Sequence, residues 1–196
     1  MSALSVVVAY ALGSVPFALI VARLFGTPDL RLVGSGNLGA TNVSRASGLW
    51  AGLLVFVLDV GKGVLAVVVA GRLTGWNAAS TAAAGVVAVV GHVYPVWAGF
   101  RGGKGVATGF GAFAVLEPMA AWPAFGAFMI SAATTRYASL GSVVAAVTLP
   151  IAVYAAGSAR ATFVASLATA GLVIFRHRSN VLRIWAGTER RLGARA

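Results

Sequence analysis

The chain of 196 residues contains no cysteine. Disulfides, thiolate nucleophiles and cysteine-type metal sites are therefore excluded, while the redox compartment stays open. Acidic residues are nearly as scarce, and four carboxylates with two histidines, scattered as they are, do not suit a metal site, so neither metal nor cofactor is expected. Charged residues of all kinds make up only 10%, which leaves no stretch with the composition of a soluble domain. What fills the chain is apolar. At 59% hydrophobic residues and a mean hydropathy of +0.91 it reads as one integral membrane domain over residues 1–196. The net charge of +11 invites a nucleic-acid reading, but the basic residues punctuate apolar runs and form no patch, so no nucleic-acid partner is expected. Loop charge bias, membrane lipid with anionic headgroups, or an anionic substrate account for the excess.

Apolar runs occupy Leu4–Leu24, Leu49–Ala70, Ala78–Val90 continuing through Val93, Val106–Leu116, Met119–Ala133, Leu140–Ala156 and Ala161–Phe175. They predict an all-α, polytopic membrane bundle of about seven transmembrane helices. Several are shorter than the roughly 20 residues of a full crossing, which leaves room for re-entrant pieces and five or six crossings. Residues 1–9 carry no charge, so the first run reads as an uncleaved helix and not a secretory signal. With seven crossings, twelve of the fifteen basic residues fall on one side, Arg195 among them. The positive-inside rule makes that side the cytoplasm. The same parity brings three polar clusters, and the C-terminus, to one face.

The first cluster, Gly34 to Arg45, combines glycines, hydroxyls and two asparagines with an arginine fork. Gly36, Asn37, Asn42 and Arg45 supply the backbone and side-chain donors that phosphate recognition uses. Ser35 fits a hydrogen-bond donor better than a nucleophile, because Gly-Ser-Gly lacks nucleophile-elbow spacing and no acid–histidine pair lies nearby. The second cluster, Gly91 to Ala107, reads as a phosphate cradle in which Gly102 and Gly103 bring the backbone close and Lys104 adds an ammonium ahead of an apolar helix. It is not a Walker A loop, since Ala98 and Gly105 stand where that pattern needs Gly and Ser or Thr. His92 is a general base, a phosphate donor or a plain interfacial residue. The third cluster places His177, Asn180 and Arg183 on one helical stripe. Asp59 and Lys62, three apart in the second run, are spaced to pair and brace the bundle, with Lys62 alternatively reaching ligand. Gly105 and Gly109 have the spacing of close helix packing.

These clusters, in this order, resemble the three signature motifs of the bacterial acyl-phosphate:glycerol-3-phosphate acyltransferases, the PlsY type. The match runs through Gly34, Ser35, Gly36, Asn37, Gly39, Asn42 and Arg45, then Gly91, His92, Pro95, Phe100, Gly102 to Gly105 and Ala107, and finally His177, Arg178, Asn180, Arg183, Gly187 and Glu189. Asp59, Lys62 and Gly63 also fit. The resemblance implies direct transfer of an acyl group from acyl phosphate to the 1-hydroxyl of sn-glycerol 3-phosphate, the first step of phospholipid synthesis, at the bacterial inner membrane. On that reading Arg45, Lys104 and Arg183 bind phosphates. Ser35, Asn180 and the Gly102 and Gly103 amides position the reacting carbonyl or its oxyanion, and His177 or His92 orients the acceptor. The acyl chain enters between spans past Ser142, and the enzyme that makes acyl phosphate is an expected partner. A small anion transporter is the competing class, although no internal repeat supports it.

Overall fold

The computed structural model describes residues 3–27 and 29–193; Arg195, counted above on the basic side, lies outside them. Among the described residues there are helices and no strands: α1 (Ala3–Ser14), α2 (Phe17–Leu24), α3 (Ala40–Ser47), α4 (Leu49–Thr74), α5 (Ala78–Val93), α6 (Val106–Leu116), α7 (Pro118–Thr135), α8 (Ala138–Ala155) and α9 (Arg160–Trp185). The first expected span is two helices. Pro16 has no N–H to continue the ladder, and the chain turns there with the Phe17 amide on the Val15 carbonyl at 3.0 Å.

Among the described residues, four segments are long and apolar enough to cross a membrane: Ala3–Leu24, Leu49–Thr74, Ala78–Ala98 and Ala138–Ala155. With α6, α7 and α9 they make seven hydrophobic segments. α6 has the bounds and the shortness expected of it, since its 11 residues rise only about 16 Å at 1.5 Å each, short of a hydrocarbon core of about 30 Å. α9 is longer than expected. It continues unbroken past Phe175, so the last apolar run and the third polar cluster are one helix. α3 falls inside what the sequence presents as loop. Ala40, Val43 and Ala46 recur every three residues and pack with Ala18, Val21, Leu30, Leu38, Ala51 and Val55, a short apolar stripe that seats the first cluster against α2 and α4.

Small residues let these helices meet, as expected where lipid removes most of the hydrophobic drive for helix association. A Cβ on Gly63 of α4 would strike the Thr108 carbonyl and the Ala112 amide of α6, and one on Gly111 would strike the main chain at Val60. Gly109 abuts Thr169 and Gly105 abuts Val89 and Val173, so α6 is also held close to α5 and α9. Gly61, two residues from Gly63, has open space where a Cβ would go. Gly61→Ala is therefore expected to leave stability unchanged or raise it by up to about 1 kcal/mol. Gly63→Ala should lower it by about 1–3 kcal/mol through overpacking. Thermal unfolding of the two variants in detergent checks the contrast.

Candidate active site

At one end of the bundle a cavity of about 750 Å³ is enclosed by the 31–45 segment, the loop between α5 and α6, the start of α8 and the end of α9. Three helix N-termini open onto it, α3 at Ala40 and Thr41, α6 at Val106 and Ala107, and α8 at Ala138 and Ser139. First-turn amides have no partner within their own helix and carry the positive end of its dipole. Eight basic side chains line the same space against two carboxylates, Asp59 and Glu189. Both carboxylates are already paired, Asp59 with Lys62 and Glu189 with Arg183. The uncompensated charge facing the cavity is positive, which suits anionic ligands.

The centre of this wall is a chain of hydrogen bonds. The Lys104 ammonium donates to Asn180 Oδ1; Asn180 Nδ2 donates to Glu189 Oε1 at 2.6 Å, and Ser139 Oγ reaches the same oxygen at 2.7 Å. Arg183 Nε holds the other carboxylate oxygen at 2.8 Å. Burial depresses Lys104 to about 8, helped by Arg183, Arg176 and Arg45 and opposed by Glu189. Partial burial works against ionising Glu189, but the hydrogen bonds from Asn180, Ser139 and Arg183 outweigh it and hold the carboxyl below its usual range. The residues after α9 form a strap: Arg45 Nη2 donates to the Arg190 carbonyl at 3.3 Å, the Leu192 amide to the Arg136 carbonyl at 2.7 Å, and Arg136 Nη2 to the Leu192 carbonyl at 3.1 Å.

Because its folded pKa is depressed, Glu189 adds stability that is present above the unfolded carboxyl pKa and lost as pH falls through the lower folded value. Glu189→Gln should remove about 1 kcal/mol at neutral pH. The variant should also lose that part of the acid dependence, read from melting temperatures measured between pH 7 and pH 3.

The expected site residues divide into three groups. Ser35, Gly36, Asn37, Arg45, Lys104, His177, Asn180, Arg183 and Ser142 all line the cavity. His177 Nδ1 sits 2.8 Å from the Val173 carbonyl; a carbonyl only accepts, so that nitrogen carries the proton and Nε2 is left as an acceptor. Ser142 Oγ is turned back onto the Ala138 carbonyl at 2.8 Å.

The second group is placed differently from expectation. The Gly102 and Gly103 amides are not free donors, because they bond the Val93 and His92 carbonyls at 3.0 and 3.1 Å. These glycines instead admit close packing: a Cβ on Gly102 would meet Pro95 and main-chain oxygens, and one on Gly103 the His92 ring and the Leu38 carbonyl. Asn42 is fully engaged. Its Oδ1 accepts from the Ser35 amide at 3.0 Å and the Ser35 hydroxyl at 3.3 Å, and its Nδ2 donates to the Leu30 and Val33 carbonyls. It shapes the first loop and has no spare donor for phosphate.

The third group makes the floor of the cavity, where Asp59 and His92 reach the lining and Lys62 does not. Lys62 Nζ is 2.8 Å from Asp59 Oδ1 and donates to the Val15 carbonyl at 3.0 Å, at the break between α1 and α2. His92 Nδ1 faces the same Asp59 oxygen at 3.5 Å. Lys62 pairs with Asp59 and does not line the cavity, which is the placement its bracing reading requires. Ser139 and Arg176 were given no part in the site and Glu189 only a place in the third motif, yet all three line it. Arg176 reaches the Gly103 carbonyl at 3.5 Å from over the Tyr94 ring. Its position directly before His177 was the only available signal.

The family model described as glycerol-3-phosphate acyltransferase matches residues 3–187. The chain belongs to that family. Among similar acyltransferases so named, one from Jannaschia sp. (strain CCS1) is 48% identical over 97% of this chain and 92% of its own length, and one from Anaeromyxobacter dehalogenans is 42% identical over 98% of each. A crystal structure of PlsY, an integral membrane glycerol 3-phosphate acyltransferase, in its glycerol 3-phosphate form superposes with a TM-score of 0.92 at 39% identity, covering 97% of this chain and 94% of that one. Its lysophosphatidic acid form gives 0.90. The acyltransferase family and the multi-pass, all-helical membrane fold expected from the sequence both hold.

Proposed function

We propose that the chain transfers a fatty acyl group from acyl phosphate to the 1-hydroxyl of sn-glycerol 3-phosphate, giving 1-acylglycerol 3-phosphate and inorganic phosphate without an acyl-enzyme. One observation carries this reading. The cationic cavity shares Phe56, Val106, Phe128 and Ser142 with a narrow apolar groove lined by Phe110, Phe113, Ala146, Leu149 and Val173. A long chain in the groove puts its activated carboxyl at that junction, with phosphate on the cationic side.

Acyl phosphate is already activated, so alignment and charge neutralisation suffice; alignment alone supplies about 7–11 kcal/mol in favourable cases. Lys104 and the first-turn amides of α6 neutralise the departing phosphate, while Arg45 and Arg183 hold the acceptor's phosphate. Asn180 positions the carbonyl through its second Nδ2 hydrogen, and the Ser35 hydroxyl joins it by turning from Asn42, which it meets at only 3.3 Å. His177 Nε2 accepts from the acceptor's 2-hydroxyl and so orients it, and the acceptor's own phosphate takes the proton of the 1-hydroxyl as the C–O bond forms. Ser35 is hydrogen-bonded to Asn42, not to a base, which supports direct transfer. By the positive-inside rule the cavity faces the cytoplasm, where an enzyme making acyl phosphate would deliver its product. The test is lysophosphatidate formation by purified protein given acyl phosphate and glycerol 3-phosphate. Product from acyl thioesters but not from acyl phosphate would overturn the donor.

A further inference from the structure

Lys62 and Lys104 are the only lysines in the chain, and their surroundings differ sharply. Lys62 is locked between Asp59 and the Val15 carbonyl and lies outside the cavity. Lys104 lines the cavity and, among the described residues, has no direct carboxylate partner and is held by one neutral acceptor, Asn180 Oδ1. It stands two residues before Val106, which belongs to both the cavity and the groove. An acyl donor threaded through that junction therefore carries its electrophilic carbon past this amine.

We infer that Lys104 is itself an acyl acceptor: when no glycerol 3-phosphate occupies the cavity, the donor acylates its ε-nitrogen and the resulting amide shuts the enzyme down. The inference rests on acyl phosphate being the donor. The neutral amine attacks the carbonyl carbon, a C–N bond forms, the C–O bond to phosphorus breaks, and the nitrogen's proton leaves with inorganic phosphate. No further reactant is needed. A lysine that is desolvated and set among other cations is the kind that turns nucleophilic near neutral pH, and a value of about 8 leaves a minority of neutral amine at pH 7. Bound glycerol 3-phosphate protects by offering its hydroxyl and by bringing a phosphate that keeps the ammonium protonated. The modification makes acyl-donor excess self-limiting.

The experiment uses the full-length protein in detergent with palmitoyl phosphate, followed by intact mass and peptide mapping. Without glycerol 3-phosphate, one palmitoyl group should accumulate on Lys104 and none on Lys62, with transfer activity falling in step. The initial rate should rise about tenfold between pH 7 and pH 9, as the neutral fraction of a group titrating at about 8 requires. Saturating glycerol 3-phosphate should suppress the adduct, and Lys104→Arg should abolish it. If Lys104 stays unmodified in palmitoyl phosphate without glycerol 3-phosphate, while the same preparation transfers at full rate once glycerol 3-phosphate is added, the inference is overturned and the donor reading stays intact. An adduct spread evenly over Lys62 and the N-terminal amine does the same. If palmitoyl phosphate yields neither product nor adduct, the donor reading falls and takes this one with it.

Discussion

Replacing Lys104 by methionine is expected to lower acyl transfer about 10²- to 10³-fold while leaving the protein folded in the membrane. Methionine keeps the length and removes the charge. The magnitude is that of deleting one preorganised donor from a site where negative charge develops, about 2.7–4 kcal/mol. Arg45, Arg176 and Arg183 remain in the cavity wall, but each is anchored through one of its nitrogens, to the Arg190 carbonyl, the Gly103 carbonyl and Glu189 respectively. Their remaining N–H groups are held where those anchors put them, and none can reach the ammonium's place without giving up its anchor. Folding is spared because the one hydrogen bond from the Lys104 side chain goes to Asn180, which stays anchored on Glu189 at 2.6 Å.

The same lysine sets a pH limit. Its ammonium is the form that neutralises phosphate, and its value is about 8. Transfer at subsaturating substrate should therefore fall as pH rises through about 8, more than two units below the limb a free lysine would give. Lys104→Arg stays charged throughout and should shift that limb upward if it retains activity. Initial rates with both substrates measure all three proteins. A methionine variant within threefold of the wild type would remove Lys104 from the chemistry.

The sequence made the ingredients of the site legible but not their bonding partners. Glycines beside a lysine look like a cradle, yet the Gly102 and Gly103 amides are consumed by the carbonyls at the end of α5; only coordinates show which donors are already satisfied. Asn42 was read as a ligand because its type suits phosphate, whereas both ends of its amide are spent holding the first loop. The bundle was legible because apolar run length is a property of the sequence itself. α3 was missed because eight residues with polar positions between Ala40, Val43 and Ala46 give too short a period to stand out from a glycine-rich loop. Glu189 organises Asn180, Ser139 and Arg183 at once. It lies 50 residues from Ser139, and only the strap folding back onto the start of α8 brings the two together, which no local pattern encodes.

Lys62→Met should be the most destabilising change, about 3–5 kcal/mol, because it leaves Asp59 charged and buried without its partner. Asp59 is 2% exposed, and its other polar neighbour, His92 Nδ1, stands at 3.5 Å, too far to hydrogen-bond it well. The Val15 carbonyl, freed by the Pro16 break, loses the Lys62 donor as well. If the cost is that of an orphaned charge, it should largely disappear when both partners are neutralised. Asp59→Asn with Lys62→Met is then expected to recover most of the lost stability, since replacing both members of a buried pair is often close to neutral. Activity should follow the same order, because the His92 carbonyl in this layer holds the Gly103 amide at 3.1 Å and so fixes the turn that presents Lys104. Thermal unfolding in detergent, run beside transfer assays, tests both halves. A single variant within 1 kcal/mol of the wild type, or a double variant no more stable than the single, would show that the pair does not brace the floor of the cavity by charge.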